Sequence, residues 1–233
     1  MKRAQNIIIS FIVISASLLP VSAPSGVQAA ASFPAAGSQK ILNLPVPFTS
    51  QAPLGEWRDE RQQDGCEEAS AAMAMAFVGG EKNISRADWR LRILILSTFE
   101  NKKYGEYRDV ALHDIVAWLF QDYFHYQKAA VRSVAKAADI ISELEKGNIV
   151  LTPMNGRKLK NPHYSAPGPE RHMVLVKGYD YASKEFITND PGTRYGESYR
   201  YPEKIFFDAI RDYKTGNKLP FGPLEKNMIV ISK

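Results

Sequence analysis

The chain contains a single cysteine, Cys66, so no internal disulfide can hold it together. Its fold must rest on a buried core. Across 233 residues, 45% hydrophobic content with 11% aromatics is enough for one sizeable domain. A charged content of 24% places it with ordinary globular proteins rather than disordered chains. The net charge of +5, part of it from Lys2 and Arg3, is too small and too scattered to call for nucleic acid. It is compatible with weak attraction to anionic wall polymers. The sequence has no metal-ligand spacing, no phosphate-binding glycine-rich loop and no repeat, so neither a metal nor a cofactor is expected.

The first residues predict where the chain works. Lys2 and Arg3 precede the apolar stretch Ile7 to Leu19, Pro20 breaks it, and Val27-Gln28-Ala29 sets small residues before a cut. Residues 1–29 therefore read as a secretory signal peptide cleaved near Ala29 or Ala30, with an uncleaved membrane anchor as the alternative. Residues 30–40, rich in Ala, Ser, Gly and Pro, read as a flexible lead-in. The folded domain is expected over 41–233, as a monomer that is secreted or held in the cell envelope. Beyond the leader, no stretch approaches the ~20 apolar residues of a membrane span.

In such a setting a lone cysteine is a buried apolar residue, an intermolecular link or a working thiol. Asp64-Gly65 signals a turn, and the Ala- and Met-rich run from Cys66 to Val78 predicts a helix stopped by Gly79-Gly80. Ala69, Met73, Ala76 and Phe77 fall on one stripe, so one face is expected to be buried. Cys66 then opens the helix, where free backbone N–H groups and the dipole favour a thiolate of low pKa. Glu67 and Glu68 read as ordinary carboxylates of a first helical turn.

A thiol nucleophile needs a base. His113 falls in a helical pattern over Asp109 to Tyr123, and His125 follows it among aromatics; both read as structural. His163 and Tyr164 lie in a Pro- and Gly-punctuated loop, and residues 155–171 are expected to rim a cleft. His172 opens the strand-like run to Asp180, and Glu185 to Asn189 reads as the returning strand before Asp190-Pro191-Gly192. His172 and Asp190 would then share one end of a hairpin, with the carboxylate accepting from Nδ1. Asp190 read as a plain turn residue is the alternative.

Further helices are expected from Ser85 to Glu100, over Val134 to Lys146, and after Pro202. Strands are expected at Ile149 to Pro153 and Met228 to Ile231. The class is α/β, or α+β, with two lobes around a cleft.

Four ordered segments resemble a known family: Val46-Pro47-Phe48-Thr49-Ser50-Gln51, Gly65-Cys66-Glu67-Glu68-Ala69-Ser70, His172 to Asp180, and Asn189-Asp190-Pro191-Gly192. Their order is similar to papain-like cysteine peptidases, and more closely to the bacterial bacteriocin-leader-peptidase-like family. The resemblance implies a papain-like fold with the Cys helix on an antiparallel sheet. It also implies a Cys66, His172 and Asp190 triad, with Gln51 at the oxyanion hole. Gln62 or Gln63 is the other amide that could serve there. Two departures are plain: Glu67-Glu68 stands where many members carry Gly-Pro, and Gln51 lies unusually far ahead of Cys66. The segment between includes Trp57, which joins His163 and Tyr164 as candidate substrate contacts. The expected partner is a peptide or protein substrate, including cell-wall peptide. The expected reaction is amide hydrolysis through a Cys66 thioester. A transpeptidase or acyltransferase on the same triad, and a silent peptide-binding module, are the alternatives.

Overall fold

The apolar runs that look continuous in the sequence become strands covered on both faces. The computed structural model describes residues 40–216 and 225–233, which fall in one unit running from Ser38 to Lys233. The leader expected over 1–29 and nearly all of the lead-in lie outside the described residues. Among the described residues seven strands form one antiparallel sheet: β1 Ile41–Asn43, β2 Ala129–Ser133, β3 Ile149–Met154, β4 His172–Asp180, β5 Glu185–Asn189, β6 Tyr199–Pro202 and β7 Asn227–Ile231. The order is β2-β7-β3-β4-β5-β6, and β1 pairs with the far end of β4.

Alternation sorts the side chains into two cores. Leu151, Met173, Leu175 and Ile229 face one cluster, with Ala71, Met73 and Phe120. Val150, Val174, Val176 and Val230 face the other, with Ile140, Leu144 and Phe206. Helices therefore cover both faces, and β3, β4 and β7 are buried throughout. This is the expected mixed α/β class with an antiparallel sheet.

The first face carries α2 Cys66–Val78 and α3 Arg86–Tyr104, preceded by the short α1 Glu60–Gln63. Nearly every residue of α2 is buried, so the single buried stripe expected from the spacing is too narrow. Small alanines let the sheet and neighbouring helices close on it from several sides. In α3, the Ser85 side chain accepts from Asp88 N–H, and the helix runs past Glu100 to a left-handed Gly105 at φ 80°. Its last turn, Asn101-Lys102-Lys103, carries no apolar signal, but the lysines suit the negative end of the dipole. The helix expected over Asp109 to Tyr123 starts later, as α4 Leu112–Ile115, and continues as a wider π turn over Val116–Tyr123. Asp109 lies before it with φ 48°.

The opposite face carries α5 Ala137–Glu145, closed by Gly147 at φ 83°, and α7 Glu203–Ala209. Before α5, Val134 N–H donates to Lys226 O, and Asp139 accepts from the Ala135 and Lys136 N–H groups. Between β3 and β4 lies α6 Gly156–Leu159, inside the segment 155–171 that was expected to rim a cleft; of that segment, residues 163–171 do line one. Gly156 and Leu159 are buried, and a Cβ on Gly156 would meet Pro169 Cγ at 2.6 Å. The first half of this segment is thus a packed connector. Deleting 155–162 would therefore remove core and not merely trim a rim.

Candidate active site

The hairpin of β4 and β5 places His172 and Asp190 by register. Leu175 pairs with Asn189, so Asp190 comes opposite Val174, on the face and one step along from His172. His172 Nε2 lies 2.8 Å from Asp190 Oδ1, and both are almost completely buried. The contact uses Nε2, whereas the sequence reading expected Nδ1; the ring enters from the strand end with Nε2 towards the turn.

Asp190 is an unusually well-supplied carboxylate. Oδ1 also accepts from Gly192 N–H at 2.9 Å, and Oδ2 from Tyr164 and Tyr201 hydroxyls, both at 2.5 Å. Asn161 Nδ2 reaches Oδ2 at 3.3 Å and donates to the Tyr201 hydroxyl at 2.7 Å. Burial works against its charge, yet the charge of His172 and the bonds from His172, Tyr164 and Tyr201 hold its pKa below the ordinary value. Gly192 must be glycine here: a Cβ would stand 2.8 Å from His172 Cε1.

Cys66 opens α2 as the spacing predicted, with Gly65 before it. As the first helical residue, its N–H has no acceptor within the helix. Its thiol is buried and donates to Glu67 Oε2 at 2.9 Å. Burial, then the charge of Glu67, pushes the thiol pKa well above its ordinary value. The expected low-pKa thiol is therefore corrected for this resting arrangement. The helix terminus is present, but desolvation and an adjacent carboxylate outweigh it. Glu67 and Glu68 are likewise not solvated first-turn carboxylates but completely buried.

Gln51 joins the two sides. Its backbone N–H donates to Pro191 O at 2.9 Å, beside Asp190. Its side-chain Nε2 donates to Gln62 O at 2.9 Å and Gln63 O at 2.7 Å, just ahead of Cys66. Asn189 Nδ2 adds bonds to Val46 O and Pro47 O, both at 3.2 Å. Two of the sequence segments singled out above, 46–51 and 189–192, are thus strapped to each other and to the turn just ahead of Cys66. Gln62 is buried, and Gln63 is exposed at the rim.

Cys66 and His172 line one cleft of about 1000 Å³, with Gln51, Trp57, His163 and Tyr164 also on its wall. Trp57 is exposed, and the His163 ring packs against Tyr195 at 4.7 Å. Tyr164 has a second task, because its hydroxyl is committed to Asp190. His113 and His125 do not line the cleft. Among the described residues, no group of three or more His, Cys, Asp or Glu side chains is placed to hold a metal ion.

Sequence reasoning missed Tyr201, Asn161, Tyr213 and the Asp109–Arg171 pair, whose atoms lie 3.4 Å apart. The Tyr199-Arg200-Tyr201 alternation was a strand signal. For Tyr213, which donates to Glu67 Oε1 at 2.6 Å across the fold, no local signal exists.

The model of the Peptidase_C39 like family matches residues 43–217. A crystal structure from Bacillus anthracis, described as that of a C39-like peptidase, is similar with a TM-score of 0.53 at 16% identity. The match covers 83% of this chain and 98% of that one. No curated protein matches the sequence.

Proposed function

The chain belongs to the Peptidase_C39-like family, and we propose that it is an exported cysteine hydrolase that cleaves a peptide or amide bond with Cys66 as nucleophile. The observation that carries this reading is a buried His172–Asp190 pair on the same cleft as a cysteine at a helix start. Export rests on the leader-like residues 1–29.

In the proposed cycle the thiol turns from Glu67 to His172, whose Nδ1 takes its proton. Asp190, bonded to Nε2, fixes the tautomer and stabilises the imidazolium. The thiolate adds to the substrate carbonyl, and the Cys66 backbone N–H donates to the oxyanion. A side-chain amide completes the hole, a contribution of about 3 kcal/mol in comparable sites. Gln51 supplies it by releasing one of its two carbonyl partners. His172 then protonates the leaving amine, and water hydrolyses the thioester. Trp57 and His163 border the bound peptide, and the cleft suits an extended segment.

The test is incubation of the mature protein with peptide mixtures and with a thiol-directed peptidyl electrophile, read by mass. The expected result is cleavage, with labelling at Cys66, and loss of both in Cys66→Ala. Cleavage that persists in Cys66→Ala would remove the reading. An added amine acceptor that captures the acyl group would turn the hydrolase into a transferase.

A further inference from the structure

The residue after the nucleophile is the least expected part of the site. Glu67 has no solvent exposure, and its two oxygens have separate partners: Oε2 accepts from the Cys66 thiol at 2.9 Å and Oε1 from the Tyr213 hydroxyl at 2.6 Å. Around it stand Asp109 from the loop before α4, Tyr213 from the segment after α7, Glu68 on its own helix and Glu100 on α3. Arg171, from the segment before β4, is paired with Asp109. Ser97 donates to Glu68 Oε1 at 2.7 Å, and burial, followed by the charge of neighbouring carboxylates, pushes Glu68 and Glu100 well above the ordinary carboxylate range. A carboxylate in such surroundings is crowded by like charge, and its cheapest relief is protonation.

Taking Cys66 as the nucleophile, as proposed above, we infer that Glu67 is a further catalytic residue that gates the thiol by its own proton. Ionised, Glu67 accepts the S–H hydrogen bond and holds Cys66 neutral. After taking a proton from solvent, its O–H donates to sulfur instead. The S–H proton then passes to His172 Nδ1, leaving a thiolate bonded to a neutral carboxyl and paired with an imidazolium. No oxidant or further reactant is needed. Burial, then the charge of Asp109, pushes Glu67 up to about 7, so the gate works within the neutral range. Asp109, pushed up to about 6 mainly by burial, titrates nearby but makes no hydrogen bond to sulfur.

The test follows the rate of Cys66 alkylation by uncharged iodoacetamide from about pH 5 to about pH 9.5. It uses the folded full chain as wild type, Glu67→Gln and Tyr213→Phe. The wild type is expected to react in an acid limb, to slow as Glu67 ionises, and to speed up again when the thiol itself ionises. In Glu67→Gln, Tyr213 keeps the amide carbonyl, so the NH2 group faces sulfur permanently. That variant is expected to lose the dip and to react at least about 10-fold faster near pH 8. Tyr213→Phe removes a donor to the ionised carboxylate, so the acid limb should end at higher pH, by about half a unit or more. Superimposable profiles for wild type and Glu67→Gln, both with native melting, overturn the inference. Should Glu67→Gln fail to fold, an unmoved limb in Tyr213→Phe overturns it equally. Alkylation does not depend on peptide cleavage. A gated thiol without turnover would reject the hydrolase alone, and turnover with an ungated thiol would reject the gate alone.

Discussion

Asp190 shows what a buried charge requires. Five donors converge on its two oxygens, and each offsets part of the cost of taking a carboxylate out of water. Tyr201 is the most committed of them: it is 1% exposed, bonds Asp190, and accepts from Asn161. Its burial and the adjacent carboxylate push its own ionisation far upward, so it acts only as a neutral donor. Tyr201→Phe keeps the ring packing and removes the hydroxyl. The expected loss is about 2 kcal/mol of unfolding free energy, since the bond is to a charged group. Denaturant titration of the variant against wild type measures it, and a loss of only a few tenths would mean that the other donors suffice.

At the level of elements, the start of α2 is the most constrained place in the chain. The helix is buried on nearly all sides, so it cannot shift to accommodate change at its first residue. Gly65 sits where any side chain would collide: a Cβ would stand 2.4 Å from Arg61 O and 3.2 Å from Ile93 Cγ2. A backbone oxygen in the preceding turn cannot swing away as a side-chain tip can. Gly65→Ala is therefore expected to destabilise the protein by about 1–3 kcal/mol and to displace Cys66 from Glu67. Thermal melting combined with alkylation of Cys66 checks both parts. An unchanged melt would show that the α1–α2 turn is softer than its contacts imply.

Across the whole molecule, the buried acids set how stability varies with pH. Glu67 rises from 4.5 to about 7, Asp109 from 3.8 to about 6, and Glu68 and Glu100 rise well above 4.5, in each case chiefly through burial. Folding favours their protonated forms, so their contribution is fully present below about pH 4 and is lost as pH rises, through about 6 for Asp109 and about 7 for Glu67, with Glu68 and Glu100 adding to the same downward trend. Asp190 has the opposite sign: its pKa is depressed, so its contribution is lost as pH falls below 3.8. The two trends together predict a higher melting temperature near about pH 5.5 than near about pH 8. Calorimetry across that range tests it, and a melting temperature that is flat or rises towards pH 8 would contradict it.

The same division separates what could be read from the chain and what could not. Local chemistry carried the start of α2, the β4–β5 hairpin and the Asp190-Pro191-Gly192 turn, because helix starts, strand runs and turns are written within a few neighbouring residues. The order of the four segments pointed to the fold, and Cys66 and His172 do share one cleft. What no local pattern contains is the partner of a buried polar atom. Glu67 and Glu68 look like solvated first-turn carboxylates because helix periodicity describes one face, not how many neighbours close on it. Their burial depends on α3, the loop before α4, and Tyr213, which lies 146 positions along the chain from Glu67. The nitrogen of His172 that meets Asp190, the two carbonyls that occupy Gln51 and the neutral resting thiol were decided likewise. Each is a balance between desolvation and long-range contact, and that balance exists only once the chain has closed on itself.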